Sequence, residues 1–169
     1  MDKFLGINPK ILTRAEIVLI AILALAAFSL ILTRYVNPDF VPLFNLKRLQ
    51  EKVFLNTKPS PESKVEYMTF LLNVRLDEIK YILSRKKYDY LLSTSLRYST
   101  LAGETTELII ANNLKDQAEP LKNQFLYHKQ ILHDLYVSYP KNTDNVEYKY
   151  LEDDINYLDI YLNKLSRLK

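Results

Sequence analysis

His128 and His133 are the two histidines of this chain, and its carboxylates gather most densely at Glu104 with Glu107 and at Glu152-Asp153-Asp154. Such side chains bind metals or move protons when they converge. Their spacing here argues against convergence. Five residues apart, two histidines stand about 140° apart around a helix, whereas a shared metal needs an i, i+4 pair on one face. No glutamate precedes either histidine by three residues, as a di-iron bundle requires. Neither acidic group has a histidine beside it or a glycine-bearing calcium loop. Both are expected as solvated faces, and His128 as a core or boundary residue. The chain has no cysteine, so thiolate metal sites and disulfides are excluded. Leu101-Ala102-Gly103-Glu104 has one glycine and no following lysine, so it is no phosphate loop. No nucleophile elbow or dinucleotide fingerprint is present either. The expectation is no catalytic residue, no metal and no cofactor.

What remains is recognition chemistry. The chain has 13 tyrosines, and Tyr148, Tyr150, Tyr157 and Tyr161 crowd one segment. Tyrosine joins a large apolar ring to a hydrogen-bonding tip, which suits interfaces. Tyr150, Tyr157 and Tyr161 are therefore interface candidates, or else boundary residues of a small core. Lys47, Arg48 and Lys52 form the second candidate group, one face of a short basic helix.

The elements that position these residues start with an uncharged apolar run, Ile17 to Thr33. As a helix it reaches about 26 Å, slightly short of a hydrocarbon core of about 30 Å. Val36 and the stem of Arg34 extend it, and Tyr35 suits the interfacial aromatic belt. Three readings compete. Ala24-Leu25-Ala26 offers a signal-peptide cleavage site, but the apolar run continues past it. A buried core helix is the second. A retained single-pass signal-anchor over residues 15–36 is the favoured one. The short tail, residues 1–14, carries Lys3, Lys10 and Arg14, which favours a cytoplasmic N-terminus and places the rest outside the cytoplasmic membrane. The net charge of +3 lies largely at the anchor's flanks. The remainder is near neutral and does not point to nucleic acid.

Two glycines in 169 residues disfavour turn-rich β folds. Asn37, Pro38 and Pro42 end the anchor and open a linker, residues 37–60. Within it a short amphipathic helix, about 43–55, sets Leu43, Leu46, Leu49, Val53 and Phe54 against Lys47, Arg48, Glu51 and Lys52. Ser60-Pro61-Glu62 reads as a helix start. Four long helical stripes follow over 61–169. The first is Val65, Met68, Leu72, Leu76, Ile79 and Leu83. The second, about 90–114, includes Leu96, Ser99, Ala102, Thr105 and Asn112, and its small residues suit close helix approach. A third helix is expected to begin between Asp116 and Pro120, with Leu121, Phe125, His128, Leu132, Leu135 and Tyr139. The last runs from about Asn145, led by an Asp144–Glu147 capping box, with Leu151, Ile155, Leu158, Leu162 and Leu165. The expected fold is all-α: one transmembrane helix, a short amphipathic helix and an antiparallel bundle of about four helices. A hairpin of 61–114 with an exposed distal seam is the alternative.

Pro42-Leu43-Phe44-Asn45-Leu46-Lys47-Arg48-Leu49 with Glu51, then Arg75-Leu76-Asp77-Glu78-Ile79 and Lys87-Tyr88, resemble a bacterial, often membrane-linked helical domain family of unknown function. The resemblance covers about residues 42–110. It implies a helical hairpin and a membrane context, and no chemistry. The family's usual glycine in the hairpin turn is absent here. On physical grounds Lys47 and Arg48 can pair with Asp77 or Glu78, meet anionic headgroups, or lie on a solvated face.

These readings combine into a non-enzymatic, membrane-tethered interaction or scaffold domain of a bacterial envelope. Its partners are lipid through the anchor and another protein or a second copy. The alternatives are a lipid-interface sensor and, with Glu16 heading the apolar helix, a pilus or secretion component.

Overall fold

The computed structural model describes residues 14–33, 35–141 and 146–168. The basic tail with Lys3 and Lys10, Arg34 and the Asp144 half of the expected capping box lie outside them. Among the described residues there are six α-helices and no strand. They are α1 (Arg14–Thr33), α2 (Val41–Asn56), α3 (Pro61–Ser84), α4 (Leu91–Ala111), α5 (Lys115–Ser138) and α6 (Tyr148–Ser166). The Glu16–Thr33 stretch of α1 is long and apolar enough to cross a membrane.

Local chemistry sets the boundaries. Ser60 caps α3: its Oγ accepts from the Ser63 N–H at 3.3 Å, and Pro61 follows. The α3 and α4 ends share one closure. Lys87 N–H donates to Ile82 O (2.9 Å) and Lys86 N–H to Leu83 O (3.2 Å); Leu114 and Asn113 repeat this on Ile109 and Ile110. Such a closure needs a left-handed residue, supplied by Lys86 (φ 56°) and Asn113 (φ 52°). Lys86 thus takes the conformation for which glycine is best suited. A new helix does start before Pro120, at Lys115, and Pro120 is carried within it. α6 starts at Tyr148, three residues later than expected.

Helices α3 to α6 form two hairpins, α3–α4 and α5–α6, laid side by side. Consecutive helices are antiparallel, but between hairpins like helices run parallel. The α5 side chains of Gln117, Gln124 and His128 bond to Glu62, Thr69 and Asn73 of α3, each 55 residues earlier. The α4/α6 pair shows the same sense, with Ser95 bonded to Tyr150 and Lys164 to Glu107. Consecutive helices thus alternate in sense as an antiparallel bundle requires, and the hairpins meet through helices of like sense, α4 beside α6 and α3 beside α5. The small residues Ser99, Ala102 and Thr105 of the α4 stripe are buried, and Gly103, outside that stripe, marks a close approach as well. A Cβ on Gly103 of α4 would stand 2.7 Å from the Tyr161 hydroxyl of α6.

One core unites the hairpins: Leu72, Leu76 and Ile79 of α3, Tyr98 and Ile109 of α4, Phe125 and Leu132 of α5, and Leu151, Leu158 and Leu165 of α6. The distal seam is therefore closed within one chain. Two stripe residues of α4 depart from expectation. Leu96 and Asn112 are exposed, because α4 packs on α3, α5 and α6 through a face centred on Leu91, Ser95, Tyr98, Ala102 and Ile109.

Candidate functional site

Of the contacts that the sequence leaves open to the short helix α2, the pairing of Lys47 with Glu78 is the one formed. Phe44 and Lys47 are buried, whereas Leu49, Val53 and Phe54 are exposed. The reason lies on α3. Arg75 and Glu78 occupy core-facing positions there, 5% and 3% exposed. A buried ion without a partner is costly, so Lys47 and Glu51 of α2 turn inward to meet them, while Arg48 and Lys52 stay exposed. Lys47 Nζ donates to Glu78 Oε1 (2.9 Å) and to the Val36 carbonyl (3.1 Å). Arg75 Nη1 donates to the same Glu78 oxygen (2.6 Å), and Arg75 Nη2 pairs with Glu51. Arg97 of α4 approaches Glu78 Oε2 at 3.5 Å and lies 4.7 Å over the Phe44 ring. Burial alone would lower the Arg75 pKa, but the Glu78 and Glu51 carboxylates outweigh it and the pKa rises. Burial prevails at Arg97, whose pKa falls to about 10; it remains a cation at neutral pH.

Beside this lattice α2, α3 and α4 leave an open groove of about 540 Å³. Arg48, Lys52, Arg75 and Arg97 line it with Glu51 and Glu104, over Leu49, Leu55, Leu71, Leu96 and Leu101. Cations exceed carboxylates, and the floor is apolar. The candidate residues Arg48 and Lys52 therefore share one surface. Lys47 does not join it, being committed to Glu78. Asp77, the other partner considered for Lys47, instead pairs with Lys80 at the surface (3.0 Å).

The candidate tyrosines divide in the same way. The Tyr150 carbonyl accepts the Ser95 hydroxyl (3.1 Å), and Tyr161 covers Gly103. Tyr157 is exposed, its ring stacked on Tyr161 at 6.2 Å between centroids. Tyr157 and Ile160 are the exposed large apolar side chains of α6.

Two buried polar groups were treated differently by the sequence. His128 is in the core, as expected. Its Nε2 is 2.9 Å from Asn73 Oδ1, an acceptor, so the proton is assigned to Nε2, and Nδ1 accepts from the Tyr98 hydroxyl (3.0 Å). Burial first, then Lys80, lowers the His128 pKa to about 4, which keeps it neutral. Asp154 corrects the expectation of a solvated Glu152-Asp153-Asp154 face: it is 1% exposed. Three consecutive acids cannot all face water on a helix whose neighbouring Leu151 and Leu158 are core. Burial raises its pKa well above the usual carboxylate value. The nearby Ser95 and Ser99 hydroxyls pull the other way, yet both donate to backbone carbonyls. Both Asp154 oxygens are left without a hydrogen-bond partner.

Comparison with family models, curated proteins and solved structures gives no match.

Proposed function

We propose that this chain is a membrane-anchored helical interaction module of a bacterial envelope, a scaffold rather than an enzyme. In this reading α1 is a retained anchor with its N-terminus in the cytoplasm, and the bundle lies on the outer side of the cytoplasmic membrane. Membership of the helical domain family resembled over residues 42–110 is part of the proposal.

One observation carries it: direct bonds run without slack from the apolar helix into the bundle. Gln50 of α2 bonds Ser29 and Thr33 of α1. On the same helix Glu51, the next residue, and Lys47, about one turn back, pair with Arg75 and Glu78. Such a connection holds a folded surface at fixed height and orientation over a bilayer. The surface best suited to a partner is the α2/α3/α4 groove. Its leucine floor and cationic rim fit a partner helix bearing leucines and carboxylates. Contiguous apolar surface of this kind marks interaction sites.

The test places a photo-cross-linking residue at Leu96 in the full chain, expressed in its native membrane. A discrete product is expected, lost with Arg48→Glu/Lys52→Glu, and a differently tagged second copy distinguishes self from another protein. Absence of any product, or one indifferent to the charge reversal, refutes the groove as the interaction surface. Since the chain lacks cysteine, Lys141→Cys reports topology. Labelling of intact cells by an impermeant thiol reagent supports the outer location, and labelling only after lysis reverses it.

A further inference from the structure

Where α1 meets the rest of the chain limits where the domain can stand. From Ile17 to Phe28 the side chains of α1 are exposed, and contact begins at its last turn, with Ser29 and Thr33 held by Gln50. Ser29 lies about 6 Å inside the Thr33 end of the apolar run. α2 therefore sits beside the end of the segment that crosses the membrane, at the height of the headgroups.

Past Gln50, α2 continues for about 9 Å to Asn56. It carries Val53 and Phe54 outward there, and Phe54 is 42% exposed. α3 adds Tyr67 and Phe70, the latter 57% exposed. The rings form a row: Phe54 to Tyr67 at 6.4 Å between centroids, Tyr67 to Phe70 at 6.0 Å and stacked. Lys58 Nζ lies 5.1 Å over the Tyr67 ring. A cavity of about 220 Å³ separates this row from α1, and Leu30 of α1 lines it together with Phe54 and Phe70. The row is thus continuous with the apolar surface of the anchor. Aromatic rings with a lysine at their edge form the composition that membrane interfaces select, because the ring enters the acyl boundary while the ammonium stays with phosphates.

We infer that this base, Val53, Phe54 and Phe70 with Tyr67 and Lys58, is inserted at the headgroup–acyl boundary, with phospholipid as its occupant. The domain then lies on the bilayer instead of standing clear of it on a linker. The inference rests on α1 being the anchor proposed above. Lipid is the occupant because Gln50 fixes α2 against the lipid-facing helix itself. It also accounts for the seating of α2: Lys47 and Glu51 turn toward the bundle, and Val53 and Phe54 are left for the membrane.

The chain has no tryptophan, so single substitutions in the full-length protein are clean depth probes. Phe70→Trp and Val53→Trp report the base, Leu25→Trp the anchor, and Val137→Trp, exposed near the far end of α5, the water-facing bundle. Each is reconstituted in phosphatidylcholine vesicles with bromines near the carboxyl or the methyl end of the acyl chains. Circular dichroism checks each fold, and Val53→Trp stands in where Phe70→Trp fails to fold. Leu25→Trp should be quenched most by deep bromines. The base probes should be quenched most by shallow bromines, with emission blue-shifted from Val137→Trp. Val137→Trp should respond only to aqueous iodide. If Leu25→Trp is quenched while the base probes behave like Val137→Trp, the base stands in water and the inference is wrong although the anchor holds. Base probes shielded from both iodide and brominated lipid would mean a protein cover, which also overturns it. Leu25→Trp without lipid quenching removes the anchor reading and this inference with it.

Discussion

Asp154 and His128 make opposite demands on pH, and replacing Asp154 with Asn should expose them separately. The Asp154 pKa is raised in the fold, so the folded chain keeps a proton that the unfolded chain releases near its ordinary value. Its contribution to stability is complete below that value and is lost as pH rises toward the folded pKa. The His128 pKa falls from 6.5 to about 4, so its contribution is complete above 6.5 and is lost as pH falls to 4. That loss is worth about 3 kcal/mol, and a single linked proton gives a slope of about 1.4 kcal/mol per pH unit. Between pH 4 and 6.5 the two slopes oppose wherever pH lies between the ordinary and the folded Asp154 pKa, each by up to about 1.4 kcal/mol, or roughly 3–6 °C in Tm, per pH unit. Thermal melts of the full chain in a non-ionic detergent, followed by circular dichroism, read this directly. Asp154→Asn should leave the rise from pH 4 uncovered and steeper than in the wild type. His128→Gln should do the reverse and make a decline start near pH 4. An Asp154→Asn melt curve with the wild-type slope between pH 4 and 6.5 would refute the argument, because the proton would then belong to another group.

Three further outcomes are open to the same assay. Glu78→Gln removes the carboxylate that Lys47, Arg75 and Arg97 share and should cost about 3–5 kcal/mol; Asp77→Asn, which breaks only a surface pair, should cost at most about 1 kcal/mol. Equal losses from the two would show that the buried lattice is not special. Lys86→Gly relieves a left-handed lysine and should raise stability by about 0.5–1 kcal/mol, with loss of stability as the contrary result. Leu158→Asp places a charge in the sealed core and should abolish cooperative melting. Conversion of an oligomer into a folded monomer by Leu158→Asp would instead make α6 an assembly seam.

Much of the fold was legible because its signals are periodic. The stripes of α3, α5 and α6 and the Ser60 cap follow from spacing and local hydrogen bonding, which a sequence displays directly. Which helices become neighbours does not follow. Alternating senses make α3 and α5 run the same way, but leucine stripes do not tell that α5 lies beside α3 and α6 beside α4. That choice is marked by Gln117, Gln124 and His128, whose partners on α3 no periodicity announces.

The seating of α2 was legible only as a set of alternatives, and the choice among them bears on function. Its amphipathic pattern leaves open which face turns inward, and burying Leu49, Val53 and Phe54 would minimise exposed apolar area on a soluble protein. That rule treats all burial as equivalent. Pairing of Lys47 with Glu78 was among the contacts the sequence offered; what it did not display is that Arg75 is buried beside Glu78 and takes Glu51, one turn beyond Lys47 on α2, as its second counter-ion. Satisfying two buried ions outweighs hiding three exposed apolar side chains: each unpaired ion costs several kcal/mol, against about 1.5–3 kcal/mol for each apolar chain. The balance tips further when the outward face meets lipid, because the apolar chains are then removed from water as well. An ion lattice that needs Lys47 and Glu51 inward leaves Val53 and Phe54 outward, and the insertion proposed above would remove them from water.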